Sequence, residues 1–186
     1  MAATRKLYFD TEFIEYNATL DDGRKLRVLE LISIGITDKD GKTFYAVNKE
    51  FNRDEADKNP FIKSTVLTQL PPESEWKSLD EIKQELKDFI GTQQTSFHYW
   101  FAAQDSYLLL NLLGENFLKL PANVDPMPIN VAQTYRDKGH PRHMVPPKGD
   151  DEHHALADAK WVMELDRRLQ GGAFTPVKRR ITPSND

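Results

Sequence analysis

The chain has 186 residues, 39% hydrophobic and 29% charged, with a net charge of −4 and no cysteine. That length suits one domain burying about 70% of its unfolded surface, and the apolar content is too high for a disordered chain. The composition excludes disulfides and thiolate metal sites and offers no apolar run long enough to cross a bilayer. It also lacks the surplus of Lys and Arg with which proteins coat duplex nucleic acid; with no apolar signal core after Lys6, a cytoplasmic protein with no membrane contact is expected.

Leu7, Phe9, Thr11 and Phe13 alternate with Tyr8, Asp10 and Glu12, the pattern of a β-strand. Asp10 and Glu12 stand at i and i+2, so they emerge on one face about 7 Å apart along the backbone. Neighbouring carboxylates repel, and a cation offsets the cost. The pair is either a divalent-metal site or two exposed acids on an edge strand. Residues 15–27 are polar, with a turn at Asp21-Asp22-Gly23. A second strand at 28–37, a turn at 38–42 and a third strand at 43–48 make an antiparallel meander.

Residues 52–59 read as a loop. Pro60 opens a short helix to about Leu70, which Pro71-Pro72 breaks. Ser78 and Glu81 form a capping box before a helix with Ile82, Leu86, Phe89 and Ile90 on one stripe, closed by Gly91. A fourth strand, rich in aromatics, spans 95–102. A helix at 104–113, a short fifth strand at 124–129 and a helix at 130–138 follow. After a loop rich in proline and basic residues, the last helix runs from about Glu152 to Leu169. Residues 1–172 then form one domain and 173–186, with no apolar period, a flexible tail. This order predicts an α/β fold, a mixed five-stranded sheet flanked by helices.

Two more acids stand out. Asp105 follows the fourth strand, where open sheets place functional groups; an acid there also suits the helix dipole. Asp158 lies in the run Asp150-Asp151-Glu152-His153-His154-Ala155-Leu156-Ala157-Asp158. That run reads either as caps and surface acids or as a histidine beside a carboxylate, both aimed at a metal-bound water. Helical spacing puts His154 on the face of Asp158 and His153 off it, unless His153 sits in a first, non-ideal turn. A zinc site on the two histidines is disfavoured, because adjacent helical side chains diverge and no cysteine completes a tetrahedron.

Asp10-Thr11-Glu12, Asp105 and His153-His154-Ala155-Leu156-Ala157-Asp158, in that order, resemble the three motifs of the DEDDh 3′–5′ exonucleases. In that group's H-x-A-x-x-D pattern the histidine is His153, so resemblance and helical spacing point to different residues. A longer likeness, to the mycobacterial-type exoribonucleases called RNase AS, is carried by several segments. These are Tyr8 to Glu15, Glu30 to Gly35, Phe44 to Val47, Val66-Leu67, Leu70-Pro71-Pro72, and Trp100 five residues before Asp105. The stretch from Asn111 to Arg142 departs most from that family.

The resemblance implies an RNase H-like fold whose later strands run parallel. It implies two Mg2+ ions, replaceable by Mn2+, held by Asp10, Glu12, Asp105 and Asp158, with His153 as general base. It also implies single-stranded RNA 3′ ends as substrate, adenylate-containing ones included, and a homodimer. Phe13 and Trp100 are candidate stacking surfaces for bases, with core packing the alternative. Glu15, on the Asp10 and Glu12 face if the strand bends, and Thr11, through its backbone, are candidates to meet the terminal ribose. Arg136, Lys138, Arg142 and Lys148 either meet phosphates or form a solvated surface. The rival readings are the same chemistry on DNA and a catalytically silent nucleic-acid-binding protein.

Overall fold

A computed structural model describes residues 4–114 and 119–171; the expected tail at 173–186 lies outside the described residues. Strands β1 (Arg5–Thr19), β2 (Lys25–Thr37) and β3 (Thr43–Val47) pair antiparallel in turn, forming the expected meander. Strand β4 (Thr95–Tyr99) adds to β1 in parallel, and β5 (Ile129–Asn130) adds to β4 in parallel. The sheet order is β3-β2-β1-β4-β5. This mixed, helix-flanked sheet is the α/β architecture expected and is consistent with an RNase H-like fold.

Strand alternation sends each residue set to a different layer. Leu7 and Phe9, with Ile34, Ile36 and Phe97, pack under helices α2 (Leu79–Ile90) and α3 (Ala103–Leu113). Tyr8, on the other face, packs with Val131 of α4 (Val131–Asp137) and with Val162, Leu165 and Leu169 of α5 (Ala155–Leu169). At the far end of the β1–β2 ribbon, Ile14 and Ile32 meet Phe51, Ile62, Val66 and Ala56 of α1 (Arg53–Lys58). Side chains such as Phe9, Phe97 and Leu109 are fully buried, each stabilising the fold by about 1.5–3 kcal/mol.

Helix α2 starts as its sequence dictates: Glu81 N–H donates to Ser78 Oγ at 3.3 Å and Ser78 N–H to Glu81 Oε2 at 2.8 Å. Gly91 ends it at φ 65°. Elsewhere the elements differ from expectation for identifiable reasons. The polar stretch 15–27 lengthens both strands into the outer part of the β1–β2 ribbon, turning as expected at Asp21-Asp22-Gly23 with Gly23 at φ 82°. Residues 52–59 contain α1, capped by the Asn52 side chain, which accepts from Glu55 N at 3.1 Å. It buries only Ala56, so no apolar stripe announced it. Strand β4 stops at Tyr99, leaving Trp100 and Phe101 in a turn with Phe101 at φ 69°. The fifth strand shrinks to Ile129–Asn130, with Val124 making an isolated bridge to Thr95. Pro126 and Pro128 interrupt this stretch and have no N–H for a ladder.

The start of α5 matters most. The helix begins at Ala155, not near Glu152, because His153 sits at φ 68°, outside helical geometry. Its first turn lies directly on β2. Gly35, paired with Asp10, faces that turn: a Cβ there would fall 2.1 Å from Leu156 N and 2.3 Å from Ala155 C. Only glycine permits this approach. Gly35→Ala is expected to lower the free energy of urea unfolding by about 1–3 kcal/mol, the usual range for overpacking. An unchanged midpoint and slope would show that the helix does not rest on this strand.

Candidate active site

Asp10 and Glu12 project from one face of β1 toward the N-terminal end of α5, where a cleft of about 250 Å³ opens. Asp105 and Asp158 line the same cleft and are themselves buried. Three separate segments thus bring the four acids together. Asp105 is held by β1: Thr11 Oγ1 donates to its Oδ1 at 2.5 Å and Thr11 N–H to the same oxygen at 3.3 Å. The Thr11 N–H considered for a ribose is therefore engaged by Asp105.

Glu15 does not join the cluster. The pairing shift between Glu12 and Phe13 places Glu12 opposite Ser33 and Phe13 opposite Leu31. The extra residue thus falls in β2, and β1 keeps its alternation. Glu15 instead accepts from Arg27 at 2.5 Å and from Gln104 at 3.2 Å.

His153 and His154 part company. His153 lies before the helix, and its N–H donates to Asp158 Oδ2 at 3.0 Å. Its ring offers a nitrogen to a group in which one ligand atom each from Glu12, His153 and Asp158 lie within 4.8 Å of one another. His154 turns away and stacks on Tyr45, ring centroids 4.4 Å apart. The helical-spacing preference for His154 assumed a helix that has not yet begun.

Phe13 and Trp100 both line the cleft. Phe13 also packs against the core, and Trp100 meets Tyr135 and Trp161 edge-on, so each has a structural anchor as well as a cleft-facing side. Of the four basic candidates, Lys148 alone lines the cleft; Arg136, Lys138 and Arg142 do not.

No protein-family model matches the chain. Two curated proteins do, both called 3′–5′ exoribonucleases and both from Mycobacterium tuberculosis, strains CDC 1551 and H37Rv. Each is 35% identical over 160 residues, covering 83% of this chain and 87% of the relative. The chain belongs to this exoribonuclease family.

In this member of the family two further residues, one at the cleft and one beside His153, were not singled out by sequence reasoning. Phe101 is 67% exposed at the cleft. Phe61 is 49% exposed and meets the His153 ring edge-on at 4.9 Å. Nothing in the sequence separated either from the core aromatics around it. Phe101 could have been found only by recognising that the strand ends at Tyr99, and Phe61 only by placing the turn after Pro60 beside His153.

The carboxylates oppose one another's ionisation. Burial, then the charges of Asp158 and Asp105, push Glu12 up to about 8, with Lys148 acting the other way. Burial raises Asp105 to about 6, although the Thr11 hydrogen bonds pull it down. Burial, then Asp105, Glu12 and Asp158, raise Asp10 well above the carboxylate range. Groups raised in the folded state stabilise it fully below their unfolded pKa, and that contribution disappears as pH climbs through the folded value. In EDTA the melting temperature is therefore expected to fall as pH rises from the ordinary carboxylate range through about 6 and up to about 8. Glu12→Gln should flatten the upper part of that fall in a fluorescence melt; a variant that keeps the wild-type slope would place the repulsion elsewhere.

Proposed function

We propose that this family member is a metal-dependent DEDDh 3′–5′ exoribonuclease that shortens single-stranded RNA to nucleoside 5′-monophosphates. The observation that carries the reading is the convergence of Asp10, Glu12, Asp105, Asp158 and His153 on one cleft from distant parts of the chain. The donor set fits hard divalent cations: carboxylate oxygens, one imidazole and no sulfur. The raised affinity of Glu12 and Asp105 for protons marks a site that a cation relieves. Asp10, Glu12, Asp105 and Asp158 would hold two Mg2+ or Mn2+ ions, which acidify water and stabilise a leaving oxygen when bound.

His153 takes the proton of the attacking water. The water oxygen forms a bond to phosphorus, the bond from phosphorus to the 3′ oxygen breaks, and that oxygen takes up a proton as the shortened chain leaves. Phe61, edge-on to the imidazole, limits its swing. Thr11 aims Asp105, and Asp158 holds the backbone of His153 in place. Trp100 and Phe101 at the cleft offer aromatic faces to unpaired bases. By resemblance the enzyme takes adenylate-containing 3′ ends and forms a homodimer.

The test is a ladder assay on 5′-labelled oligonucleotides: oligo(A) RNA, mixed RNA and DNA, with Mg2+, Mn2+ or EDTA. Shortening of RNA from the 3′ end is expected with either metal and not with EDTA. Asp10→Asn should slow it on the order of a thousandfold and His153→Ala about a hundredfold to ten-thousandfold, while His154→Ala keeps most activity. Shortening of DNA alone would assign the chemistry to DNA. A folded protein that shortens nothing would leave a binding role.

A further inference from the structure

We propose that Lys148 is a tethered counter-ion of the carboxylate cluster: it holds Asp158 when no metal is bound, competes with a divalent ion for that carboxylate, and on release turns its ammonium to the RNA phosphate. This rests on the metal-dependent reading above.

The ion pair joins Lys148 Nζ to Asp158 Oδ1. Asp158 Oδ2 is already engaged by the His153 N–H at 3.0 Å. The lysine therefore takes the carboxylate oxygen that the backbone leaves available. Lys148 lines the cleft that Asp10, Glu12 and Asp105 also line, so its charge faces the whole cluster. An ammonium and a divalent ion drawn to one carboxylate exclude each other in part, because each has its greatest effect where the negative charge is densest.

The same position of the ammonium has further partners that persist when Asp158 is taken. Its Nζ lies 4.6 Å from the centroid of the Trp161 ring, a favourable cation–π distance, and 3.9 Å from Glu152 Oε1. Trp161 is itself fixed, donating from Nε1 to Pro146 O at 2.9 Å. The loop that carries Lys148 is tied down by Gln69 Nε2, which donates to Glu152 O at 2.8 Å. Behind the lysine a second cavity of about 640 Å³, shared with Asp158 and Trp161, gives the side chain room to move. Release from Asp158 thus leaves the ammonium at the cleft, where an RNA phosphate is its natural partner. By linkage, RNA that captures Lys148 tightens metal binding, and metal tightens RNA binding by the same factor.

The test is isothermal titration of Mn2+ into the full chain without RNA at pH 8.5, where protons compete least. Wild type, Lys148→Met and Lys148→Arg are compared, each checked for folding by circular dichroism and melted in EDTA. Lys148→Met is expected to bind Mn2+ on the order of tenfold more tightly, to melt lower than wild type in EDTA and to lose that deficit at saturating Mn2+. Its KM for RNA at saturating metal should rise. Lys148→Arg, which keeps the charge, should bind Mn2+ much as wild type does. Unchanged or weaker Mn2+ binding by folded Lys148→Met would overturn the role of Lys148 while leaving the metal-dependent reading intact. No Mn2+ binding by wild type would overturn the metal-dependent reading itself, and this inference with it.

Discussion

The close approach of α5 to β2 at Gly35 is the constraint on which the site depends. Asp10 and Glu12 are fixed by β1, and Asp158 is fixed by the helix. They share a cleft only because the helix backbone comes within contact of the strand beside Asp10, at a place where a side chain would collide with Ala155 and Leu156. Deep in the same interface Val162, Leu165 and Leu169 bury their side chains. Apolar packing thus anchors the C-terminal part of the helix, and the missing Cβ lets its N-terminal turn tilt in over the carboxylates. Interiors packed this tightly do not deform continuously, so the spacing between strand acids and helix acid is set by the fold rather than by the flexibility of the side chains.

The cluster works against folding, and its neighbours limit the damage. Asp105 is nearly fully buried, yet Thr11 gives it two donors. Asp158, also buried, has the His153 N–H on one oxygen and Lys148 on the other. Asp10 is crowded by Asp105, Glu12 and Asp158, and the charge of Lys148 only partly offsets this. Sites that concentrate like charge this way lower stability in exchange for function. The surplus comes from the apolar layers on either face of the sheet.

How much of this was legible in the sequence follows the range of each signal. The capping box of α2, the turn at Gly23 and the alternation of β1 are local, and they read correctly. Helix α1 did not, because Ala56 is the only side chain it buries and periodicity needs a stripe. The shortening of β4 and β5 turns on where backbone hydrogen bonds find partners across the sheet, which one strand cannot reveal. The four acids were found together through their order along the chain and a family pattern, since neither spacing nor propensity links residue 10 to residue 158. Glu15 was misplaced for a subtler reason: a bend was looked for in β1, and the irregularity lies in β2.

The two histidines show most plainly what sequence geometry lacks. A rule about helix faces was applied to residues that precede the helix. What sets His153 is its left-handed backbone, held by a hydrogen bond to the side chain of Asp158. That bond joins the proposed base to a proposed metal ligand. Moving Asp158 frees the segment that carries His153, and straightening His153 into the helix removes a donor from Asp158. The pair therefore acts as a unit, and the loss caused by changing either one includes some of the loss of the other. Their effects on rate are then less than multiplicative, as for groups that share one task. His154, stacked on Tyr45, stands outside this unit, although it is the nearer of the two in sequence to Asp158.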